Sequence, residues 1–236
     1  MRPTSWETAT VVAIRRETVR AKTFRLALRD PVRHLAGQHY VVRLTAPDGY
    51  TASRSYSVAS APDGSREFEL TVERLEEGEV SSFLHDVVEV GDVLEVRGPI
   101  GRYFVWDGTT PAVLIGGGSG VVPLMAMLRV ARRDRRPDLV RLLVSVRTPA
   151  DLYYADELPG PESTVVYTQL APFTTRSPAR LTKGDVASAI MDEPEMMDST
   201  AYVCGSTGFA DAATDILQEM GFSIEQIRVE RFGPSG

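Results

Sequence analysis

The pattern of apolar and polar positions divides the chain into two halves of different character near residue 108. In the first half, short runs rich in Val, Leu, Tyr and Thr partly alternate with polar residues, which is typical of half-buried strands. Turn sequences such as Pro47-Asp48-Gly49 separate the runs, and a short helix is predicted near Val80–Val88. The predicted strands are Thr8–Arg16, Thr23–Arg29, His39–Thr45, Ala52–Ala59, Glu67–Leu75 and Asp92–Gly98. Six strands at this spacing predict a small antiparallel β-barrel.

The second half alternates apolar strands with helical patterns. The predicted strands are Ala112–Gly116, Val140–Val146, Thr164–Gln169, Thr200–Cys204 and Ile227–Phe232. The predicted helices are Val122–Arg132, Ala150–Leu158, Lys183–Met191 and Phe209–Met220. This alternation predicts an α/β doubly wound five-stranded parallel sheet, in which ligands bind beyond the carboxyl ends of the strands. The linker lies at Trp106–Thr110, so we expect a β-barrel domain at 1–108 and an α/β domain at 109–236.

Composition narrows the class of protein. Hydrophobic residues make up 43% and charged residues 25% of the 236 residues, which are values of a globular protein. The net charge of −6 argues against a nucleic-acid partner. A single cysteine, Cys204, excludes an internal disulfide and a four-thiolate iron–sulfur site. No signal peptide or transmembrane stretch is recognisable, so we expect a cytoplasmic protein that does not bind a membrane.

A glycine run follows the first strand of the second half. Residues 116–123 read GGGSGVVP and lead into a predicted helix. Glycines let the backbone approach a ligand closely, and the helix N-terminus offers free N–H groups, which together suit a pyrophosphate. A tight strand-to-helix turn without a ligand is the alternative. The run is neither a Walker A motif nor GxGxxG with an acidic residue about 20 positions on, so the usual NAD fingerprint is absent.

Four further segments carry polar or reactive residues in unexpected places. Residues 54–60 read RSYSVAS, 78–84 read GEVSSFL, 202–209 read YVCGSTGF, and the chain finishes in VERFGPSG. Each has a simple structural explanation when taken singly. Ser81 is placed as a helix N-cap, Cys204 as a small buried residue, and Phe232 as part of a core.

Together, in this order and spacing, the five segments resemble the ferredoxin–NADP⁺ reductase family across nearly the whole chain. RSYS is similar to that family's Arg-x-Tyr-Ser flavin motif, and GEVSSFL to its Gly-x-x-Ser phosphate segment. GGGSG resembles its nicotinamide-nucleotide loop and VCG its Cys-Gly pair at the nicotinamide. The resemblance implies a flavin-binding barrel domain followed by an NAD(P)-binding domain. The tail after Phe232 is more like the reductase components of bacterial oxygenase systems.

The resemblance also implies residue roles. A guanidinium suits the flavin phosphate at Arg54, an aromatic face suits the isoalloxazine ring at Tyr56, and Ser57 would lie near flavin N5. The implied flavin-binding residues are Arg54, Ser55, Tyr56, Ser57, Gly78, Val80, Ser81 and Phe232. The implied NAD(P)H-binding residues are Gly117, Gly118, Ser119, Gly120, Arg147, Cys204 and Gly205. The implied catalytic residues are Ser57, Cys204 and Glu230, and no metal is implied.

Strand geometry limits one of these roles. Arg54 and Tyr56 share a strand face, whereas Ser57 points to the other. Ser57 therefore reaches N5 only if the strand bends or ends at that point.

Cofactors and partners follow from the same resemblance. FAD is favoured over FMN, and NADPH is slightly favoured over NADH because Arg147 lies where a 2′-phosphate would bind. Tyr103 and Trp106 are candidates to stack on the adenine. The expected function is hydride transfer from NAD(P)H to FAD, followed by electron transfer to an external ferredoxin or oxygenase component. The alternatives are reduction of free flavin or a ferric chelate, and a non-catalytic electron-relay subunit.

Overall fold

The computed structural model describes residues 5–173, 176–190 and 193–233. The chain divides into two compact units, Met1–Trp106 and Asp107–Gly236. The first is built on an antiparallel sheet and the second on a parallel sheet with helices, as the alternation of strand and helix patterns predicts.

Six antiparallel strands form the sheet of the first unit, in the spatial order β4-β3-β6-β1-β2-β5. The strands are β1 Glu7–Arg16, β2 Ala21–Ala27, β3 His39–Thr45, β4 Thr51–Ser57, β5 Glu67–Glu73 and β6 Val93–Ile100. The end strands β4 and β5 are joined by a single bridge between Val58 and Leu70, and the Ala59 N–H donates to the Glu69 carbonyl at 2.8 Å. The sheet therefore curls into an open barrel, which confirms the predicted barrel architecture.

The core of the first unit consists of the inward-facing residues of these strands. Tyr40 and Phe68 are each 1% exposed, and their rings stack with centroids 4.2 Å apart. Alternate residues of β2 and β3 join them, because successive side chains of a strand point to opposite faces.

The helix α1 (Glu79–Asp86) of the first unit packs on this core. Val80 and Leu84 on its inner face are buried in the core cluster. Two polar contacts fix its last turn, because Lys22 Nζ donates to the His85 carbonyl at 2.7 Å and His85 Nε2 lies 2.9 Å from the Val72 carbonyl. The position of the helix N-terminus is therefore set by packing along the whole helix.

Five parallel strands form the sheet of the second unit, in the order β11-β10-β7-β8-β9. The strands are β7 Ala112–Gly117, β8 Val140–Val146, β9 Ser163–Tyr167, β10 Thr200–Ser206 and β11 Ile227–Phe232. The helices are α2 Val121–Arg133, α3 Lys183–Ile190 and α4 Thr207–Glu219. The second unit begins with the central strand β7, continues outward through β8 and β9, and then crosses to β10 on the other side of β7. The strand order therefore reverses between β7 and β10, which is the point where ligands bind in such sheets.

The helices cover both faces of this sheet. Val113, Ile115 and Val203 pack with α3 and α4 in one buried cluster. On the opposite face, α2 approaches the sheet so closely that a Cβ at Gly116 would lie 3.0 Å from the Cα of Val121. Alternate residues of the carboxyl ends of β7 and β10 thus face different helices.

The predicted helix Ala150–Leu158 is wrong. The chain forms only a short 3₁₀ turn, Pro149–Asp151, and then a series of turns. Tyr154 has φ of 57°, a left-handed conformation that a bulky residue rarely adopts, and its side chain is 2% exposed. The Arg129 guanidinium lies 4.9 Å from the Tyr154 ring centroid and pairs with Glu157. Tertiary packing of this ring therefore overrides the local helix propensity.

The ends of other elements shift by one to three residues. The predicted strand Asp92–Gly98 runs from Val93 to Ile100, and Thr23–Arg29 runs from Ala21 to Ala27. No helix within the described residues is long and apolar enough to cross a membrane.

The buried His85 predicts a pH dependence of stability. Burial lowers the pKa of His85 below its usual value of 6.5, so folding favours the neutral imidazole. The unfolded chain then binds the proton more readily, and the free energy of unfolding should fall as the pH drops below about 6.5. Urea unfolding of His85→Gln at pH 7.5 and 5.5 should show a smaller loss than that of the unmodified protein.

His39, whose pKa burial also lowers, is present in both proteins and cancels in this comparison. An equal loss of stability in the two proteins would show that folding does not lower the pKa of His85.

Candidate functional site

Arg54 and Tyr56 lie on the same face of β4. In the antiparallel register Arg54 is opposite Val42 and Tyr56 is opposite Tyr40, and both partners belong to the core. Tyr56 packs against that core, and burial raises its pKa so that the phenol stays neutral. Arg54 is exposed, and its only side-chain hydrogen bond among the described residues goes to the Ser53 carbonyl, at 2.8 Å. With no carboxylate paired to it there, the Arg54 guanidinium can bind an anion.

Ser55 and Ser57 lie on the opposite face of β4. Ser55 is exposed and Ser57 is 8% exposed, opposite His39 of β3. The strand ends at Ser57; the next residue, Val58, still donates its N–H to the Gln38 carbonyl at 2.9 Å and is also bridged to Leu70 of β5. The end of the strand at Ser57 meets the condition under which the Ser57 side chain could reach flavin N5. No hydrogen bond engages the Ser57 hydroxyl within the described part of the chain.

The start of α1 has free backbone N–H groups. Gly78 is the N-cap residue, and its carbonyl accepts from the Ser82 N–H at 2.8 Å. The N–H groups of the first three helical residues, 79–81, have no acceptor among the described residues. Such groups, at the positive end of the helix dipole, attract phosphate oxygens. Val80, an expected flavin-binding residue, is 1% exposed, so only its backbone N–H is available at this position.

The Ser81 hydroxyl, which the resemblance assigns to the flavin phosphates, is hydrogen-bonded within the loop before α1. Its Oγ accepts a hydrogen bond from the Leu75 N–H at 3.2 Å and donates one to the Gly78 carbonyl at 3.1 Å. A hydroxyl has one proton, so this one has none left to donate to a phosphate as it stands. Ser81 instead fixes the loop that leads into α1.

In the second unit, the glycine run forms the turn from β7 into α2. Gly117 ends β7, Gly118 has φ of +55°, and a 3₁₀ turn over Gly118–Gly120 leads directly into the helix at Val121. A Cβ at Gly120 would lie 2.1 Å from the carbonyl oxygen of Cys204, so only glycine fits. The turn therefore lies directly against the end of β10, at the reversal of strand order.

Cys204 and Glu230 lie side by side in the parallel register of β10 and β11. Cys204 is fully buried, and burial, together with the Glu230 charge, raises the pKa of its thiol well above the ordinary value. The thiol therefore stays protonated, and a nucleophilic thiolate is disfavoured. Glu230 is half-buried, and burial raises its pKa to about 7, so its carboxyl group can gain or lose a proton near neutral pH.

Phe209 lies beside Gly117 and Gly205. The sequence pattern assigns this residue only to the start of a helix. A Cβ at Gly117 or at Gly205 would be 2.7 Å from ring atoms of Phe209. The ring thus covers the α4 side of the two glycines, while Cys204 lies on the α2 side. The sequence signal that could have found it is the glycine at or next to the end of each strand, because a large ring needs a partner without a side chain.

The remaining expected residues lie near this edge of the sheet. Ser119 is half-buried in the turn before α2, and Phe232 ends β11 opposite Ser206. Arg147 directly follows β8, but its guanidinium pairs with Asp151 at 3.1 Å. Asp151 also accepts from the Thr148 N–H and hydroxyl, at 3.1 and 2.8 Å. The Arg147 charge is therefore partly neutralised at the point where a 2′-phosphate was expected.

A second arginine is placed beside β9. The Ala179 N–H donates to the Tyr167 carbonyl at 3.0 Å, which brings the segment 176–180 to the carboxyl end of this strand. Arg176 pairs with Asp185 there. Arg180 is exposed and has no ion pair within the described ranges, so it is available to a phosphate.

Comparison with known proteins identifies the two units. Residues 8–105 match the model of the oxidoreductase FAD-binding domain, and residues 114–215 match that of the oxidoreductase NAD-binding domain. The chain belongs to the ferredoxin–NADP⁺ reductase-like family of oxidoreductases that join these two domains.

Individual relatives are reductase components of oxygenases. The chain is 31% identical over 232 residues to the glycine betaine monooxygenase reductase subunit of Chromohalobacter salexigens, covering 94% of this chain and 63% of that protein. It is 27% identical to the reductase component of the Pseudomonas putida naphthalene 1,2-dioxygenase system, covering 96% of this chain and 69% of that protein. The ferredoxin reductase in carbazole 1,9a-dioxygenase superposes with a TM-score of 0.79 at 26% identity, over 97% of this chain and 70% of that one.

The close approach at Gly120 predicts that even one methyl group is not tolerated. Gly120→Ala forces the turn and the end of β10 apart, and we expect a loss of about 2 kcal/mol or more in the free energy of unfolding. Gly208→Ala is the matched control, because a Cβ there meets nothing within 4 Å. Urea unfolding followed by circular dichroism measures both variants, and equal stability of the two would contradict the close contact.

Proposed function

We propose that this chain is a flavoprotein reductase that takes hydride from NAD(P)H onto FAD and passes electrons to an external protein acceptor. The observation that carries the proposal is a set of unpaired donors in a domain of the FAD-binding class. Arg54 has no carboxylate partner among the described residues, and the N–H groups of residues 79–81 have no acceptor there. A phosphate-bearing cofactor would supply one.

The flavin would be held by β4 and the start of α1. Arg54 and the free N–H groups of α1 would bind its phosphates, and the Tyr56 ring would lie against the isoalloxazine. Ser57 would offer its unengaged hydroxyl to N5. Bound FAD would supply the redox chemistry, since a flavin accepts two electrons as hydride and can release them one at a time.

The nicotinamide nucleotide would bind where strand order reverses. The turn over Gly117–Gly120 would bind its pyrophosphate, and Cys204 and Gly205 would pack beside the nicotinamide. Glu230, with a pKa of about 7, would orient the carboxamide or hold a proton there. Phe232, which the resemblance assigns to the flavin, would shield the flavin ring.

NADPH remains the proposed coenzyme, with Arg147 and Arg180 as the cations for its 2′-phosphate. An exposed ion pair is worth about 1 kcal/mol or less, so Asp151 can release Arg147 to a phosphate. NADH is the second candidate, because the Arg147–Asp151 pair leaves this position nearly neutral.

The acceptor we propose is a ferredoxin or an oxygenase component, because the named relatives are reductase components of oxygenase systems. The chain spans about two thirds of the length of these relatives. Arg20, Arg29 and Arg33 are exposed without an ion pair among the described residues and would suit an acidic partner, whereas Arg15 already pairs with Glu17.

An anaerobic titration tests the function. The chain, reconstituted with FAD, should lose its yellow absorbance rapidly when NADPH or NADH is added, and the more efficient coenzyme identifies the preference. Cys204→Ala should bind FAD equally well but be reduced more slowly if Cys204 packs beside the nicotinamide. A chain that takes up no flavin, or whose flavin neither coenzyme reduces, would refute the proposed function.

The role of Arg54 predicts a selective loss of flavin affinity. Arg54→Ala removes a charge-assisted contact to phosphate, and we expect the Kd for FAD to rise about tenfold or more. The rate of flavin reduction in the remaining holoenzyme should change little. Arg20→Ala, another exposed arginine of the same unit, serves as the control. Unchanged FAD affinity in Arg54→Ala would show that this guanidinium does not contact the cofactor.

A further inference from the structure

The outer face of the first sheet presents a group of side chains beside the candidate flavin site. Val41 of β3 lies opposite Ser55 of β4 on one side and opposite Arg97 of β6 on the other. Trp6, which directly precedes β1, contacts Arg97. These residues point away from the core, since Val96, the neighbour of Arg97 along β6, is buried. We call Trp6, Val41, Ser55 and Arg97 the Arg97 surface.

The indole of Trp6 restrains two guanidinium groups. The Cζ atom of Arg43 lies 4.0 Å from the centre of the Trp6 ring, and that of Arg97 lies 4.9 Å from it. Cations at such distances are attracted by the electron-rich face of an aromatic ring. Trp6 and Arg97 are both half-buried, so the surface presents an indole and a guanidinium in a defined arrangement.

The two arginines differ in their partners. Arg43 donates from Nε to Oε2 of Glu95 at 3.0 Å and from Nη2 to Oε1 at 2.8 Å, and the Thr45 hydroxyl donates to Oε2 at 3.0 Å. Both oxygens of Glu95 are therefore engaged. Arg97 makes no hydrogen bond or ion pair within the part of the chain that the structure describes, and its Nε is buried without an acceptor. A buried donor without an acceptor costs free energy, so the stability of the fold does not explain this arrangement.

The Arg97 surface adjoins the residue assigned to flavin N5. His39 lies two residues before Val41 on β3, and its partner on β4 is Ser57. Ser57 therefore shares the outer face with Arg97 and lies two strands away from it. With strands about 4.8 Å apart and a rise of about 3.3 Å per residue, their Cα atoms are separated by roughly 12 Å. A protein docked on the Arg97 surface would thus be close to the reactive part of the flavin.

We propose that the electron acceptor docks on the Arg97 surface, where a carboxylate of the acceptor binds the Arg97 guanidinium and an apolar group packs on Trp6. The inference rests on the proposed function. Arg and Trp are among the residue types that contribute most to the binding energy of protein interfaces. Because Glu95 neutralises Arg43, Arg97 gives this surface a positive charge that complements an acidic acceptor.

A second set of cations in the first unit is the competing site. Arg20, Arg29 and Arg33 are exposed and have no ion pair among the described residues. No aromatic contact restrains them there, and side chains that move freely in solvent lose more conformational entropy when a partner binds. The docking contact is therefore assigned to Arg97, and these three arginines serve as controls.

Steady-state kinetics with two acceptors test the proposal. The FAD-reconstituted chain is supplied with NAD(P)H and with either an acidic two-iron ferredoxin of the plant type or ferricyanide, a small acceptor that needs no docking surface. Each NAD(P)H reduces two ferredoxin molecules and releases one proton, because a ferredoxin takes up one electron at a time. Only the reaction with ferredoxin should depend on the Arg97 surface.

Arg97→Gln should raise the KM for ferredoxin about tenfold or more, because a charge-assisted hydrogen bond is lost. The rate with ferricyanide and the FAD content should stay within twofold of those of the unmodified protein. Arg97→Lys keeps the charge and should recover part of the loss. Trp6→Ala should also raise the KM for ferredoxin, whereas Trp6→Phe keeps an aromatic face and should raise it less. Replacing the control arginines singly by Gln should leave this KM within twofold.

Thr8 provides a second test that leaves Arg97 and Trp6 intact. Thr8 is exposed on β1 and lies opposite Glu95, which shares the outer face with Arg97. Thr8→Glu places a carboxylate beside the Arg97 surface and should raise the KM for ferredoxin severalfold, whereas Thr8→Gln, of the same size, should not. This pair decides the question if Arg97→Gln lowers the thermal stability or the FAD content.

The inference and the proposed function fail in different ways. An unchanged KM for ferredoxin in Arg97→Gln and Thr8→Glu would overturn the inference, as would an equal loss with ferricyanide or a larger effect of the control arginines. A chain that reduces ferricyanide but not ferredoxin would also overturn it, while the flavin reductase activity would stand. A chain that takes up no flavin, or whose flavin NAD(P)H does not reduce, would refute the proposed function itself.

Discussion

The contact between Gly120 and the end of β10 is the constraint on which the second unit depends. The turn after β7 must lie against the Cys204–Gly205 peptide with no side chain between them. That contact joins the two strands at the reversal of order, and it puts the start of α2, Cys204 and Glu230 at one edge. The Phe209 ring closes the other side of the same glycines. A ligand at this edge is thus bordered mainly by backbone, whose position the sheet itself determines.

Most of the fold follows from periodicity, because both sheets are specified by burial patterns that the sequence displays directly. The strands His39–Thr45, Val140–Val146 and Ile227–Phe232 have the predicted ends. The segment 150–158 was mispredicted because the fold there is determined by the distant Arg129, whose guanidinium lies over the Tyr154 ring. The pairing of charges had a local signal that the sequence analysis did not use: Asp151 lies four residues after Arg147, whereas residues 49–59 around Arg54 contain no acidic residue.

The candidate site in the first unit differs from ordinary protein surface because, among the described residues, an arginine lacks a carboxylate partner and backbone N–H groups lack acceptors. The arginines of this unit include several in ion pairs, such as Arg25 with Glu69 and Arg43 with Glu95, whereas Arg54 sits on the core-facing side of β4 without such a partner. The start of α1 is similar. The Ser81 hydroxyl is hydrogen-bonded to the loop before the helix, and the N–H groups of residues 79–81 have no acceptor among the described residues. Sequence motifs located both elements, but only the structure separates the groups that hold the fold from those free to hold a ligand.

The end of β4 limits the insertions and deletions that the chain can tolerate. Ser57 is the last residue of β4, and Val58 donates its N–H to the Gln38 carbonyl on one side while it is bridged to Leu70 of β5 on the other. Because Val58 is held from both sides, the length of the chain at this point is fixed. One residue inserted between Tyr56 and Val58 would either reverse the face on which Arg54 and Tyr56 lie or break the bridge that closes the barrel. Substitutions in this stretch should therefore disturb the barrel less than insertions or deletions would.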